Sequence, residues 1–362
     1  MFTESPRRET MARRALRRTI AVVDGFAAPH GVDRYLEQVV PTWSSTEVRG
    51  RIVAVDRSAT GTVLVTIEPN GNWTGFRAGQ YTQLSVEIDG VRHTRCYSMC
   101  SVAGSTKRFQ LGIKAHPDGL VSQWLVANAA PGLVVGLTPA AGEFVLPEAR
   151  PERILLISGG SGITPVLSML RTLCSDGHTG PVTFLHYNAS AEAVLCRDEI
   201  DALAGAHPNV RLVLHYGAII NESHLDAADP QWRTADAFVC GPAPMMDAVR
   251  GHYASAGAPE RFHNEAFTLT AFVGEAGDVG GALRFGASQF AVASDGRTLL
   301  EQAEAAGLTP QNGCRMGICH TCPRRLAHGT VRNVVTGELT SDRDVDVRLC
   351  VSVPVGDVEI DL

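Results

Sequence analysis

The spacing of hydrophobic and polar residues changes twice along this chain, and each change predicts a different kind of domain. Between residues 46 and 149, apolar and polar positions alternate in short segments such as "GTVLVTIEP" and "RFQLGIK", with turn sequences such as "PNGN" between them. This alternation is typical of half-buried strands and predicts a small antiparallel β-barrel. Between residues 150 and 269, short apolar runs such as "RILLISG" alternate with helical segments. That order predicts an α/β doubly wound domain, in which helices cover a parallel sheet.

A third pattern runs from residue 282 to the last residue given, 362. Here a predicted strand, "LRFGASQF" (283–290), precedes a predicted helix, "GRTLLEQAEAAGL" (296–308). The segment at 270–281 is rich in glycine and alanine, which is typical of a linker. The sequence therefore predicts three folded domains, at 46–149, 150–269 and 282–362, after an N-terminal extension over residues 1–45.

Composition narrows the classes of protein that fit this pattern. The chain has 362 residues, of which 44% are hydrophobic, so it can build more than one core. No apolar run reaches the length of about 18 residues that a membrane helix needs, and we expect a cytoplasmic protein. The net charge of −6 argues against general affinity for nucleic acid. Nine cysteines without a signal peptide do not suggest a disulfide scaffold, so some of them are expected to bind metal.

Four of the cysteines have a spacing that is typical of an iron-sulfur cluster. Cys314, Cys319 and Cys322 form C-x4-C-x2-C, and Cys350 follows after 27 more residues. This is the plant-type pattern for a 2Fe-2S cluster, in which a distant residue supplies the fourth thiolate. Glycines at 313 and 317 let backbone amides approach the sulfur atoms. Structural zinc usually takes two paired knuckles, so zinc and inert buried thiols fit the spacing less well.

Two glycine turns in the second domain favour a dinucleotide. In "RILLISGGSGITPVLSMLRTL" (153–173) a buried strand leads through a glycine turn into a helix, which presents free amides to a pyrophosphate. Pro165 takes the place of the third glycine of the usual fingerprint, so a plain strand-to-helix turn is the alternative. In "VCGPAPMM" Cys240 ends a strand, and ligands of parallel sheets bind beyond such strand ends. We expect the two turns to flank one crevice, although Cys240 could be a buried structural cysteine.

The barrel contains the motif R-x-Y-S, formed by Arg95, Tyr97 and Ser98. Alternation places Arg95 and Tyr97 on one face of the strand and Ser98 on the other. An arginine binds phosphate bidentately, a tyrosine ring packs on a planar heterocycle, and a hydroxyl bonds a ring nitrogen. Each residue type is also ordinary in a strand, so the motif alone does not decide the function.

Taken in order, R-x-Y-S, "GLVSQWL" (119–125), G-G-S-G-I-T-P and C-G-P resemble the ferredoxin-NADP reductase superfamily. The cysteine-rich tail resembles the plant-type, β-grasp ferredoxin domain of its ferredoxin-fused members, and the resemblance covers about 46 to 362. It implies that Arg95 contacts the flavin phosphate, that Tyr97 lies against the isoalloxazine, and that Ser98 lies near its reactive N5. Gly119 and Ser122 match the element that holds the pyrophosphate of FAD at a helix start, which favours FAD over FMN.

The same resemblance assigns the nucleotide site and the candidate catalytic residues. Residues implied to face the nicotinamide dinucleotide are Gly160, Ser161, Gly162 and Thr164, with Cys240, Gly241 and Pro242 beside the nicotinamide. Glu265 and Phe267, in "HNEAF", are implied to border the flavin. Ser98, Cys240 and Glu265 are therefore the candidate catalytic residues. The cluster ligands are the four cysteines at 314, 319, 322 and 350.

Combining these parts predicts an electron-transfer enzyme. NAD(P)H gives two electrons as a hydride and a plant-type cluster accepts one, so FAD between them makes the exchange feasible.

The choice of coenzyme is open. Members that prefer NADPH often carry Ser or Arg just past the second strand of this domain, where the chain has Asn188 and Ser190, and the nearest arginine is Arg197. The sequence therefore favours NADH slightly.

The domain order and the stretch "VDRYLEQVVPTWSSTEVRGRI" resemble reductase components that serve fatty-acid desaturases and alkane hydroxylases, which are membrane di-iron enzymes. The alternatives are a reductase for a Rieske ring-hydroxylating oxygenase or a haem monooxygenase and, from another class, a non-catalytic iron-sulfur redox sensor. A sensor would not need the flavin and nucleotide motifs. An N-terminal basic arm could touch anionic lipid at the inner face of the membrane, or an acidic partner, but a disordered or merely solvated start, with Met11 as the first residue, fits better. Its arginines are Arg7, Arg8, Arg13, Arg14, Arg17 and Arg18.

Overall fold

A computed structural model describes residues 32–117, 119–267 and 280–362, apart from 287, 289, 314, 316, 318–320 and 335. The N-terminal arginines, most of the predicted linker, Cys314 and Cys319 lie outside the described residues. No helix within the described ranges is long and apolar enough to cross a membrane.

The first domain is an antiparallel barrel, as the alternating pattern predicts. Its strands are β1 (Val48–Asp56), β2 (Thr62–Pro69), β3 (Tyr81–Ile88), β4 (Val91–Ser98), β5 (Phe109–Lys114) and β6 (Val134–Leu137), with helix α1 (Val32–Val39) before them and α2 (Leu120–Asn128) after β5. The sheet order is β4-β3-β6-β1-β2-β5, and a bridge between Met99 and Leu111 joins its two ends. Alternate residues of β5 point inward, and Phe109 stacks on Trp73 with 4.6 Å between ring centroids. The hydrophobic face of each strand therefore closes around one core.

The segment just before β1 is fastened to the barrel by polar contacts. Asn70 Nδ2 donates to the carbonyls of Thr42 and Glu47, at 3.0 and 2.9 Å. Arg49 pairs with Glu37 at 3.0 Å. These bonds satisfy backbone groups outside any sheet and so hold the chain from about residue 37 against the barrel.

The second domain is a five-stranded parallel sheet covered by helices, as predicted. Its elements are β7 (Ile154–Gly159), α3 (Ile163–Ser175), β8 (Val182–Asn188), α4 (Arg197–Ala206), β9 (Val210–Tyr216), α5 (Glu222–Ala228), β10 (Asp236–Cys240), α6 (Ala243–Ser255) and β11 (Phe262–Glu265). The strand order is β11-β10-β7-β8-β9. Ile154 and Leu156 pack on one face of the sheet and Leu155 and Ile157 on the other, so both faces are buried. The order reverses between β7 and β10, and a ligand crevice is expected at that point.

The third domain is a mixed sheet with one helix across it. Its elements are β12 (Ala282–Phe285), β13 (Phe290–Ala293), α7 (Leu299–Ala305), β14 (Pro323–Asn333), β15 (Leu339–Thr340), β16 (Val345–Arg348) and β17 (Ser352–Ile360). Strands β12 and β17 are parallel, and the described order is β13-β12-β17-β14-β15 with β16 beside β14. Helix α7 starts with a capping box between Thr298 and Glu301.

The single strand expected over 283–290 is wrong. Strand β12 ends at Phe285, and β13 begins at Phe290 and pairs antiparallel with it. The small residues of "GAS" between the two phenylalanines allow a turn there. The stretch is therefore a hairpin, whose apolar residues belong to two strands.

A buried arginine joins the barrel to the second domain. Arg171, on α3, is 6% exposed. Its Nη1 donates to the carbonyl of Cys100 at 2.6 Å and to Gln110 Oε1 at 3.0 Å, both on the barrel, and its Nε donates to Glu199 on α4 at 2.8 Å. Removing this side chain would leave buried acceptors without a donor.

We expect Arg171→Met to lower the free energy of unfolding by about 2 to 3 kcal/mol, because buried acceptors lose a charged donor. Arg108, whose ion pair with Glu68 is exposed, supplies the control, and Arg108→Met should change stability by less than about 0.5 kcal/mol. Urea unfolding measures both. Equal effects of the two substitutions would show that Arg171 does not hold the domains together.

Candidate functional site

A cavity of about 550 Å³ is bordered by all three domains. It collects residues from β4, from the start of α2, from the turn before α3 and from the end of β11, together with two residues of the third domain. The lining includes Tyr81, Arg95, Tyr97, Ser98, Lys114, His116, Gly119, Ser122, Ser161, Thr164, Glu265, Phe267, Glu301 and Arg315. Most of the residues that the sequence predicts for flavin binding therefore meet in one place.

One wall of the cavity is formed by β4. Arg95 is half-buried, and its Nη1 donates to the carbonyl of Thr94 at 2.7 Å. Burial, and then the positive charge of Arg315, lowers the pKa of Arg95, but a guanidinium stays charged at neutral pH. Burial raises the pKa of Tyr97, whose phenol therefore stays neutral. A cation and a neutral ring suit a phosphate and a planar heterocycle.

Ser98 lines the same cavity as Arg95 and Tyr97, although strand alternation places it on the opposite face. Strand β4 ends at Ser98, and the chain leaves it for the bridge between Met99 and Leu111. Cys96, inside the strand, lines the cavity as well, so the cavity is not confined to one face of β4. The expectation of opposite faces therefore does not decide which residues of this strand reach the cavity.

The start of α2 forms a second wall. Ser122 Oγ donates to the carbonyl of Gly119 at 3.0 Å and accepts from the backbone amide of His116 at 3.1 Å. The hydroxyl thus fixes the loop that leads into the helix. Because the first amides of a helix lack internal partners, this end of α2 is suited to an anion.

The floor of the cavity holds a half-buried carboxyl group. Glu265 Oε2 lies 3.4 Å from Ser98 Oγ, which donates to it. Burial raises the pKa of Glu265 to about 8, and the hydrogen bond from Ser98 opposes the shift only in part. At neutral pH the carboxyl therefore holds a proton. Phe267 lines the cavity beside it.

Cys240 lies behind Glu265. The two residues are partners in the parallel pairing of β10 and β11, and Cys240 is fully buried. Burial, and then the charge of Glu265, raises the pKa of the Cys240 thiol well above its usual range. The thiol therefore stays protonated and is a poor nucleophile.

The two glycine turns of the second domain touch each other, as predicted. A Cβ on Gly162 would lie 2.2 Å from the carbonyl oxygen of Cys240, and one on Gly159 would lie 2.8 Å from Pro242 Cδ. Gly160 has a φ of +54°, in the left-handed region. Only glycine allows this approach of the two backbones. Gly160, Gly162, Gly241 and Pro242 thus meet at the crevice between β7 and β10, and Ser161 and Thr164 line the flavin-sized cavity.

Lys114 is a cation that the sequence reasoning missed. It ends β5, is exposed, and borders both the cavity and a small cleft formed with Gly160, Ser161 and Thr164. Within the part of the chain that the structure describes, no ion pair or hydrogen bond involves this ammonium group. The signal was present, because Lys114 is the only charged residue in "FQLGIK" and stands at its end.

The described half of the predicted cluster site fits a thiolate-bound group. Cys322 and Cys350 are buried, and the backbone amide of Gly317 donates to Cys350 Sγ at 3.3 Å. Gly317 has a φ of +75°, and a Cβ there would lie 2.8 Å from Val351 Cγ1. Arg348 Nη1 donates to the Gly317 carbonyl and holds the loop. Amide donors to sulfur are what a cluster requires.

A larger depression, of about 720 Å³, lies between the barrel and α4. Four acidic residues, Asp56, Glu192, Asp198 and Glu199, line it together with Arg197. This excess of carboxylates repels the phosphates of a flavin, whereas the smaller cavity presents Arg95, Lys114 and Arg315 beside Glu265 and Glu301. The smaller cavity is therefore the candidate cofactor site.

Comparison with known proteins gives the same three parts in the same order. An oxidoreductase FAD-binding domain matches residues 59–146, an oxidoreductase NAD-binding domain matches 156–251, and a 2Fe-2S iron-sulfur cluster binding domain matches 285–355. An NADPH oxidoreductase of Mycobacterium tuberculosis is 36% identical over 338 residues, which cover 91% of this chain and 88% of that protein. The glycine betaine monooxygenase reductase subunit of Pseudomonas aeruginosa is 31% identical, over 79% of this chain and 87% of that protein.

The fold is also that of a solved reductase. Phthalate dioxygenase reductase, described as a modular structure for electron transfer from pyridine nucleotides to [2Fe-2S], superposes with a TM-score of 0.62 at 22% identity. The match covers 87% of this chain and 97% of that chain. The chain therefore belongs to the ferredoxin-fused flavin reductases of the ferredoxin-NADP reductase superfamily, and is an oxidoreductase with FAD-binding, NAD-binding and 2Fe-2S domains.

Proposed function

We propose that this protein is the reductase component of an oxygenase or desaturase system, which takes electrons from NAD(P)H and delivers them to a separate protein. The observation that carries the proposal is the cavity bordered by all three domains, since one bound flavin there would contact both the nucleotide turn and the ferredoxin domain. When bound, FAD supplies the exchange between a hydride and single electrons, and the cluster supplies one-electron delivery.

The residues of the cavity have distinct roles in this proposal. Arg95 and the start of α2, with Gly119 and Ser122, bind the flavin phosphates, and Tyr97 packs on the ring system. Ser98 and Glu265 hold a proton at the floor, and Phe267 excludes water beside them. In the crevice, Gly160, Ser161, Gly162, Thr164, Gly241 and Pro242 bind the dinucleotide, and Cys240 supports Glu265 from behind. Lys114 pairs with the dinucleotide phosphates.

Which oxygenase accepts the electrons is the finer part of the proposal. The N-terminal resemblance favours a membrane di-iron fatty-acid desaturase or alkane hydroxylase. The relative named as the reductase subunit of a glycine betaine monooxygenase supports an oxygenase as the acceptor, and the alternative is an oxygenase of the Rieske or haem type. Reconstituting turnover with one purified candidate of each type, at equal reductase concentration, distinguishes them.

The first test concerns the cofactors. The purified protein should contain one FAD, two irons and two sulfides per chain, and Cys350→Ser should lose the iron and keep the flavin, because Cys350 does not line the flavin cavity. The variant should still reduce ferricyanide, which can react at the flavin, and should lose at least about nine-tenths of its cytochrome c reduction. Cys174→Ser, at a half-buried cysteine of α3, is the control and should keep both activities. Zinc in place of iron would contradict the proposal.

The second test uses the pKa of Glu265. Because this pKa is about 8 in the folded protein and near 4.5 when exposed, the folded state binds more protons between these pH values. Stability should therefore fall as pH rises from about 5 to 8, and Glu265→Gln should remove a few kcal/mol of that fall. Urea unfolding of both forms at several pH values measures it. Parallel curves for the two proteins would mean that Glu265 is already ionised at neutral pH.

The third test concerns the coenzyme. Arg197, the first residue of α4, pairs with Asp201 at 2.7 Å and contacts the hydroxyl of Tyr216 at the carboxyl end of β9. That position puts it within reach of a 2′-phosphate. We expect Arg197→Ala to lower kcat/KM for NADPH about tenfold and that for NADH less than twofold.

The control for this test is Arg211→Ala, at the N-terminal end of β9 and so at the other end of the strand from Tyr216, which should leave both values unchanged. An equal loss with NADH and NADPH would show that Arg197 does not distinguish them. The slight preference for NADH indicated by the sequence stays a prediction, and the relative named as an NADPH oxidoreductase supports the opposite preference.

A further inference from the structure

Arg315 belongs to the predicted cluster loop but lines the flavin cavity. It follows Cys314 directly in the sequence, and its backbone has a φ of +58°, which residues other than glycine seldom adopt. On the opposite side of the same loop, the amide of Gly317 reaches Cys350 Sγ. One loop therefore contacts both the predicted cluster ligands and the cavity.

Only part of the hydrogen-bonding capacity of the Arg315 guanidinium is satisfied within the described residues. One of its terminal nitrogens pairs with Glu304 on α7. Its other terminal nitrogen, Nη1, makes no hydrogen bond or ion pair among the described residues. Because a guanidinium donates through a planar fork, an anion in the cavity could bind this nitrogen directly.

The charges around Arg315 favour an anion bound in the cavity. Arg95 lies on the barrel side of the cavity, and after burial the positive charge of Arg315 is the next cause that lowers the pKa of Arg95. Two cations that line one cavity repel each other unless a negative group lies between them. Glu301 also lines the cavity, but its carboxylate accepts from the amide and hydroxyl of Thr298 at the start of α7. Among the described residues no carboxylate pairs with Arg95, although the charge of Glu304, the partner of Arg315, acts on both arginines.

We propose that Arg315 is a flavin-phosphate ligand supplied by the ferredoxin domain, so that Arg95 and Arg315 clamp the phosphates of FAD between two domains. This inference rests on the proposed function, because it requires FAD in this cavity. The clamp makes FAD a bridge: flavin binding holds the ferredoxin domain on the barrel, and the docked domain slows release of the flavin.

The test measures FAD and riboflavin affinities of the flavin-depleted full-length protein by flavin fluorescence. We expect Arg315→Gln to raise the Kd for FAD at least tenfold and to leave that for riboflavin, which has no phosphate, within about twofold. Arg297→Gln, at an exposed arginine of the same domain that pairs with Asp295, is the matched control and should change neither Kd. An unchanged FAD Kd overturns the clamp, and so does an equal weakening of FAD and riboflavin.

Two further measurements keep the result unambiguous. Iron content and visible circular dichroism show whether the variant keeps its cluster. If Arg315→Gln loses iron, Arg315→Lys is measured in its place. A threefold higher FAD Kd with unchanged riboflavin affinity then supports the clamp, and an unchanged FAD Kd overturns it. Small-angle scattering should show that FAD compacts the native protein but not the variant. A native protein that binds no FAD contradicts the proposed function, whereas a variant with native FAD affinity contradicts only this inference.

Discussion

The packing of the second domain on the barrel, which combines one shared hydrophobic core with the buried guanidinium of Arg171, is the interaction on which the rest of the site depends. Arg171 belongs to the helix that follows the nucleotide glycine turn, yet it donates to a carbonyl and a side chain of the barrel. A buried charge must have its donors satisfied, so these bonds fix how the domains meet. In that arrangement Glu265, at the end of the second domain, lies beside Ser98, which is 167 residues away in the chain.

The cavity at this junction has cations on its walls and a neutral acid on its floor. Arg95, Lys114 and Arg315 come from different parts of the chain and present positive charge to one space. Burial keeps Glu265 protonated at neutral pH, so its carboxyl does not repel a phosphate-bearing cofactor. The same burial makes that proton available next to the hydroxyl of Ser98. The low charge of the Glu265 carboxyl and its retained proton therefore have one cause, which is the burial of this group where the domains pack together.

The sequence by itself determined those features that depend on local spacing. Alternation predicted the barrel, the alternation of strands and helices predicted the parallel sheet, and the spacing of Cys314, Cys319, Cys322 and Cys350 predicted the cluster. Each follows from backbone geometry or ligand reach over a few residues. The resemblance then supplied the functional roles of R-x-Y-S and the two glycine turns. It did not supply Lys114 or Arg315, because neither belongs to the matched motifs.

Contacts between residues that are distant in the sequence, and the burial that follows from them, depend on the tertiary structure. Sheet order places Cys240 against Glu265, and burial then raises the pKa of both groups. Ser98 lines the cavity against the expectation from alternation, and the chain between Phe285 and Phe290 forms a hairpin where a single strand was expected. Arg315 reaches the flavin cavity only because the third domain packs there. Burial and charge are sums over all neighbours, and a linear sequence does not specify those neighbours until the chain has folded.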